Sequence, residues 1–114
     1  MINADHIKAY KTRLKALYGY LDIEKKQMLI EDEQGLTHDP NFWDDPKQAE
    51  VILKNIRAKK IWVEAYEVVQ AAIADLDVIF DFHKEGEATE EEVMTQDVVT
   101  IKAIEELEFK NMLS

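Results

Sequence analysis

The chain has 114 residues, 46% of them apolar and 33% charged, with no cysteine. That length fits one domain with a modest core, and the balance is that of a globular rather than a disordered chain. A formal charge of −10 argues against broad nucleic-acid contact, which needs Lys and Arg to neutralise phosphates, and the missing thiols exclude disulfides, thiolate catalysis and Cys-ligated zinc.

Only three glycines and two prolines interrupt the chain, so long helices are expected and an all-β fold is not. In the first segment Ile7, Tyr10, Leu14, Leu17 and Leu21 recur at alternating spacings of three and four, the pattern of an amphipathic helix packed along a seam. Asn3 or Asp5 suits its N-cap. Gly19 then costs a helix interior about 1 kcal/mol relative to Ala. Asp22 is suited to cap a second stretch through Ile23, Met28, Leu29 and Ile30. The pattern allows one helix bent at Gly19 or two helices divided between Gly19 and Asp22.

Residues 35–46 read as a connector, with Gly35 suited to a left-handed helix end and Pro40 and Pro46 unable to continue a helix. Phe42 and Trp43 lie in this polar stretch, either as a plug folded back onto the core or as a hot spot for a partner. Asp45-Pro46-Lys47-Gln48 is a helix start, with Asp45 as cap, Pro46 at the first position and Gln48 at the reciprocal capping-box position. No Gly or Pro follows until Gly86, and Trp62, Tyr66, Val69, Ile73, Leu76 and Phe80 keep a four-three spacing. A helix of that length reaches roughly 58 Å and must be the spine for shorter antiparallel neighbours.

Residues 85–88 form the next turn, and Thr89-Glu90-Glu91-Glu92 is a capping box whose carboxylates suit the positive end of a helix dipole. Met94, Val98, Ile101, Ile104, Leu107 and Met112 define the expected inner face of the last helix. The whole, residues 1–114, is expected to be a single all-α domain. It forms an antiparallel up-down array of three long helices with coiled-coil-like packing, the first continuous or broken at Gly19–Asp22.

No chemistry emerges from the motifs. Ser114 is the only serine, and glycines at 19, 35 and 86 alone cannot build a phosphate-binding loop or a nucleophile elbow. The residues three before His6, His38 and His83 are Asn3, Gly35 and Phe80, so no Glu-x-x-His metal pair exists. Catalytic, cofactor-binding and metal-binding residues are therefore expected to be none, and no enzyme is expected. The Lys8, Lys11, Arg13, Lys15 and Lys54, Arg57, Lys59, Lys60 clusters read as solvated helix faces. The N-terminus lacks a signal-peptide pattern and no apolar run approaches a membrane span, so a soluble, cytoplasmic protein without membrane contact is expected.

Three stretches carry a family resemblance: Leu17-Tyr18-Gly19-Tyr20-Leu21-Asp22, the connector Asp39-Pro40-Asn41-Phe42-Trp43-Asp44-Asp45-Pro46-Lys47-Gln48-Ala49, and Leu107-Glu108-Phe109-Lys110-Asn111-Met112-Leu113-Ser114. From about Ile7 to Ser114 the chain is similar to the N-terminal domain of the bacterial peptide chain release factor 2 family, and the connector is the most specific part. The resemblance implies a piece of a factor that reads UAA and UGA stop codons and triggers hydrolysis of peptidyl-tRNA. That family's Ser-Pro-Phe codon reader and Gly-Gly-Gln catalytic loop are both missing here, so neither act is expected of this domain. Its implied place is the ribosome, at the large-subunit stalk base beside ribosomal protein L11, with no contact residue assigned. Many members also carry a programmed frameshift between the Leu and Asp matching Leu21 and Asp22. The alternative reading is a standalone helical adaptor or oligomerisation module, since a long apolar seam also suits self-association.

Overall fold

The computed structural model describes every residue from Met1 to Ser114 and contains helices and no strand. In chain order they are α1 (Ala4–Tyr20), α2 (Ile23–Leu36), a 3₁₀ turn (Phe42–Asp44), α3 (Pro46–Lys84) and α4 (Glu90–Leu113). The first segment is thus two helices. Leu21 closes α1, and Asp22 takes a left-handed conformation at φ 49° before α2 begins. Both apolar neighbours of that turn, Leu21 and Ile23, are buried, so the break is anchored from both sides.

The helix starts are built by short polar side chains. The Asn3 carboxamide oxygen accepts from the Asp5 and His6 amides, and the Asn3 amide donates back to His6 Nδ1 at 2.9 Å. Asp45 caps α3 by accepting from the Gln48 amide at 3.2 Å, with Pro46 at the first position, but Gln48 does not close the box. Thr89 and Glu92 form the full reciprocal box on α4. Asp22 occupies the N-cap position of α2 without a side-chain cap bond, contrary to its expected role. A capping side chain typically sits on extended backbone, whereas Asp22 is left-handed.

Gly35 departs from expectation as well. It lies inside α2, which ends at Leu36 on Thr37 in a right-handed conformation. The Thr37 hydroxyl donates to the Gln34 carbonyl at 2.7 Å, so no glycine-dependent turn is needed there. Gly86, at φ 77°, is the glycine whose turn does need a left-handed backbone.

At 39 residues α3 matches the molecule's 60 Å long dimension, and every other element packs on it. The radius of gyration is 18.6 Å, well above the about 13 Å of a compact domain this size. Two packing regimes share the spine. Along one part, α1 and α4 both lie on α3 and touch each other; along the other, α2 packs on α3 and meets α1 at the turn. The core is one cluster running through both, with Leu17, Ile23, Val69, Leu76, Val93 and Ile104 sealed from solvent.

The inner face of α4 differs from the expected one. Val93, Thr100, Ile104 and Leu107 are buried, whereas Met94, Val98 and Met112 are exposed. Thr100 enters the core because its hydroxyl is satisfied there. It lies 2.8 Å from the Gln96 carbonyl and 3.1 Å from the Ala72 carbonyl of α3. Gln96 Nε2 donates to that same Ala72 oxygen. A hydroxyl bonded in this way is tolerated where an unpaired one costs 1–3 kcal/mol.

Candidate interaction surfaces

Polar side chains join the helices at several points. Tyr10 Oη donates to Asp97 Oδ1 at 2.7 Å, and Arg13 holds Glu108 through two bonds of 3.0 and 2.5 Å, both tying α1 to α4. Lys11 meets Asp77 at 2.6 Å and Lys59 meets Glu33 at 2.7 Å, tying α1 and α2 to α3. Three residues of the two basic clusters therefore serve as interhelical ties rather than purely solvated charges. Glu33 Oε2 is buried without a hydrogen-bond partner, so that carboxylate is only half satisfied.

Three groups are perturbed. Burial, and then the hydrogen bond and charge of Asp97, push the Tyr10 hydroxyl up to about 12. The bond to Glu108 raises the Arg13 guanidinium further, and burial raises the Tyr66 hydroxyl. All three move away from neutrality, which keeps each in its protonated form in the folded chain. They act as ties.

The histidines do not converge. His6 is part of the α1 cap, His38 is exposed in the connector, and His83 Nδ1 lies 2.9 Å from the Ala88 carbonyl across the α3–α4 turn. No three His, Asp or Glu side chains gather as a metal-binding group. The Glu90–Glu92 carboxylates cluster around the capping box, where they complement the helix dipole.

What the surface does present is apolar. On α3 and α4, Val68 and Val98 are more than 60% exposed, and Ala65, Val68, Ala103 and Lys110 border a shallow groove between the two helices. At the connector Trp43 is 64% exposed, with Phe42 half-buried beside it and their rings edge to face at 5.1 Å. The expected plug is not formed. A 3₁₀ turn holds these aromatics, and they pack on each other instead.

Fold and surface together define an elongated helical scaffold, tied by interhelical charge pairs and carrying apolar patches on its sides and at its connector. No family model matches the chain. Curated proteins do: peptide chain release factor 2 of Staphylococcus aureus is 32% identical over 112 residues, covering 95% of this chain and 30% of that protein. Another Staphylococcus aureus strain's factor is 33% identical over 110 residues, and that of Proteus mirabilis 27% identical over 106. The chain is therefore a homologue of peptide chain release factor 2, and it spans about 30% of the length of the curated relatives it matches. No helix is long and apolar enough to cross a membrane.

Proposed function

We propose that the chain is the N-terminal helical domain of a release factor 2-type translation termination factor and serves as an interaction module without catalysis. The observation that carries this is the match across 95% of the chain, connector included, to proteins named for peptide chain release. A non-enzymatic role is supported by the lack of adjacent glycines and by a single serine at position 114, which leave neither a Gly-Gly-Gln nor a Ser-Pro-Phe motif. The reading makes the chain cytoplasmic, with the ribosome as partner through the parent factor. The finer placement is the large-subunit stalk base near ribosomal protein L11, where a charge of −10 suits protein more than rRNA. An antiparallel up-down array is the matching architecture. It is supported by Lys11 with Asp77 and Tyr18 with Tyr66, and by Ala72 with Thr100 and Trp62 with Lys110, pairs whose order reverses along α3.

A competition assay tests both parts of the proposal. Added in excess to peptide release driven by intact release factor 2, the chain should slow the reaction and should release no peptide alone. Release by the chain alone would refute the non-catalytic role, and an unchanged rate would refute ribosomal docking. The exposed Val68 and Val98 favour a second reading, a standalone helical adaptor or oligomerisation module. Sedimentation that shows concentration-dependent dimers, with no competition, would select it.

A further inference from the structure

We propose that the Phe42–Trp43 turn is a docking point for a cationic protein surface, with Trp43 receiving a Lys or Arg side chain on its ring. Several observations converge on this. A 64% exposed indole is a large apolar area to leave in water, and Trp is among the side chains enriched where partners bind tightly. The ring is presented on a braced loop. The Asn41 amide donates to Asp39 Oδ1 at 2.8 Å, Phe42 and Asp44 amides donate to the Asp39 and Asn41 carbonyls at 3.0 Å, and Asp45 caps α3 immediately after. Little order remains to be imposed on binding, so less of the contact energy is lost to entropy.

Charge selects the occupant. Asp39, Asp44 and Asp45 flank the aromatics, residues 35–46 contain no Lys or Arg, and none of the three carboxylates makes an ion pair. The chain's other indole shows the pairing that Trp43 lacks: Lys110 Nζ lies 5.7 Å from the Trp62 ring centroid, and Lys84 covers Phe80 at 5.1 Å. A guanidinium or ammonium held over Trp43 gains the ring's negative face and the neighbouring carboxylates together. A phosphate backbone meets only repulsion there. This inference stands on the connector alone and does not depend on the termination reading.

The test is a titration of the intact chain with a peptide of alternating arginine and alanine, by calorimetry on wild type, W43A and D44N. The Trp43 signal is followed separately by fluorescence in a W62F variant. Trp43 and Asp44 are exposed and cap no helix, so both variants should keep the wild-type circular dichroism and melting temperature. Expected results are saturable binding with a change in Trp43 emission, and a several-fold weaker Kd for W43A. D44N should bind more weakly with a shallower salt dependence. Equal Kd values for wild type and W43A would overturn the proposal. So would a Trp43 emission change produced by polyuridylate, or by self-dilution of the chain, and not by the peptide. Docking to purified large subunits is scored separately, so loss of either reading is visible without the other.

Discussion

The hydroxyl of Tyr10 crosses from α1 to the Asp97 carboxylate at 2.7 Å in a part-buried site, and its affinity for its proton is raised to about 12. An unfolded tyrosine titrates near 10, so between about 10 and 12 the folded chain holds a proton that the unfolded chain has released. Stability from this group is therefore complete below pH 10 and is lost as pH climbs through 12. Replacing Tyr10 with Phe should cost about 1 kcal/mol at pH 7. The gap between wild type and Y10F, measured by urea unfolding, should then close between about pH 10 and pH 12. A gap independent of pH would show that the bond does not favour the protonated hydroxyl. This tie was not legible in the sequence, where Tyr10 reads as a seam residue: periodicity reports burial and says nothing of a partner 87 positions away. Thr100 was missed for the converse reason. Apolar counting assigned its place in the core to Met94 and Val98, because a hydroxyl that finds carbonyls on both its own and a neighbouring helix looks polar in one dimension.

At the scale of elements, several caps and breakers were readable where the deciding residues lie close in sequence, though Asp22 makes no side-chain cap and Gly35 lies inside α2. The starts at Asp45-Pro46 and Thr89–Glu92 and the turn at Gly86 involve only residues within a few positions of each other. The division of α1 from α2 was legible as an alternative only, since Gly19 stays helical and the left-handed residue is Asp22. That conformation costs an L-residue roughly 1–2 kcal/mol, less for Asp or Asn, and the Asp22 side chain recovers nothing as a cap. Asp22→Gly should therefore stabilise the chain by about 0.5–1 kcal/mol, read as a higher melting temperature with unchanged helicity. A drop in stability would mean that the carboxylate supports the turn through the α2 dipole more than the backbone strains it. The connector shows the other limit. Its position and its two aromatics were plain from Pro40, Phe42, Trp43 and Pro46, but whether an indole faces core or solvent depends on three-dimensional packing, which composition does not encode.

Across the whole molecule the two packing regimes should differ in stability. Where α1, α3 and α4 meet, Ile7, Tyr10, Leu17, Val69, Leu76, Val93 and Ile104 bury one another, and the Tyr10 and Arg13 ties close the third side. Where α2 lies on α3, the buried set thins to Ile23, Ile30, Ala49, Ile56 and Val63, and its main polar tie is Lys59 with the half-satisfied Glu33. Burial of an aliphatic side chain contributes about 1.5–3 kcal/mol, so the sparser part holds less against the same backbone entropy per residue. Amide hydrogen exchange should accordingly be fastest in α2 and the first turns of α3, and slowest near Leu76 and Ile104. Two substitutions separate local from global opening. Leu76→Ala, at a fully sealed position, should cost about 2–5 kcal/mol and raise exchange throughout. Ile56→Ala should raise exchange in α2 and the start of α3 while leaving α1 and α4 protected. Equal acceleration everywhere in both variants would mean that α3 transmits every loss along its length, and that the 60 Å rod unfolds as one cooperative body.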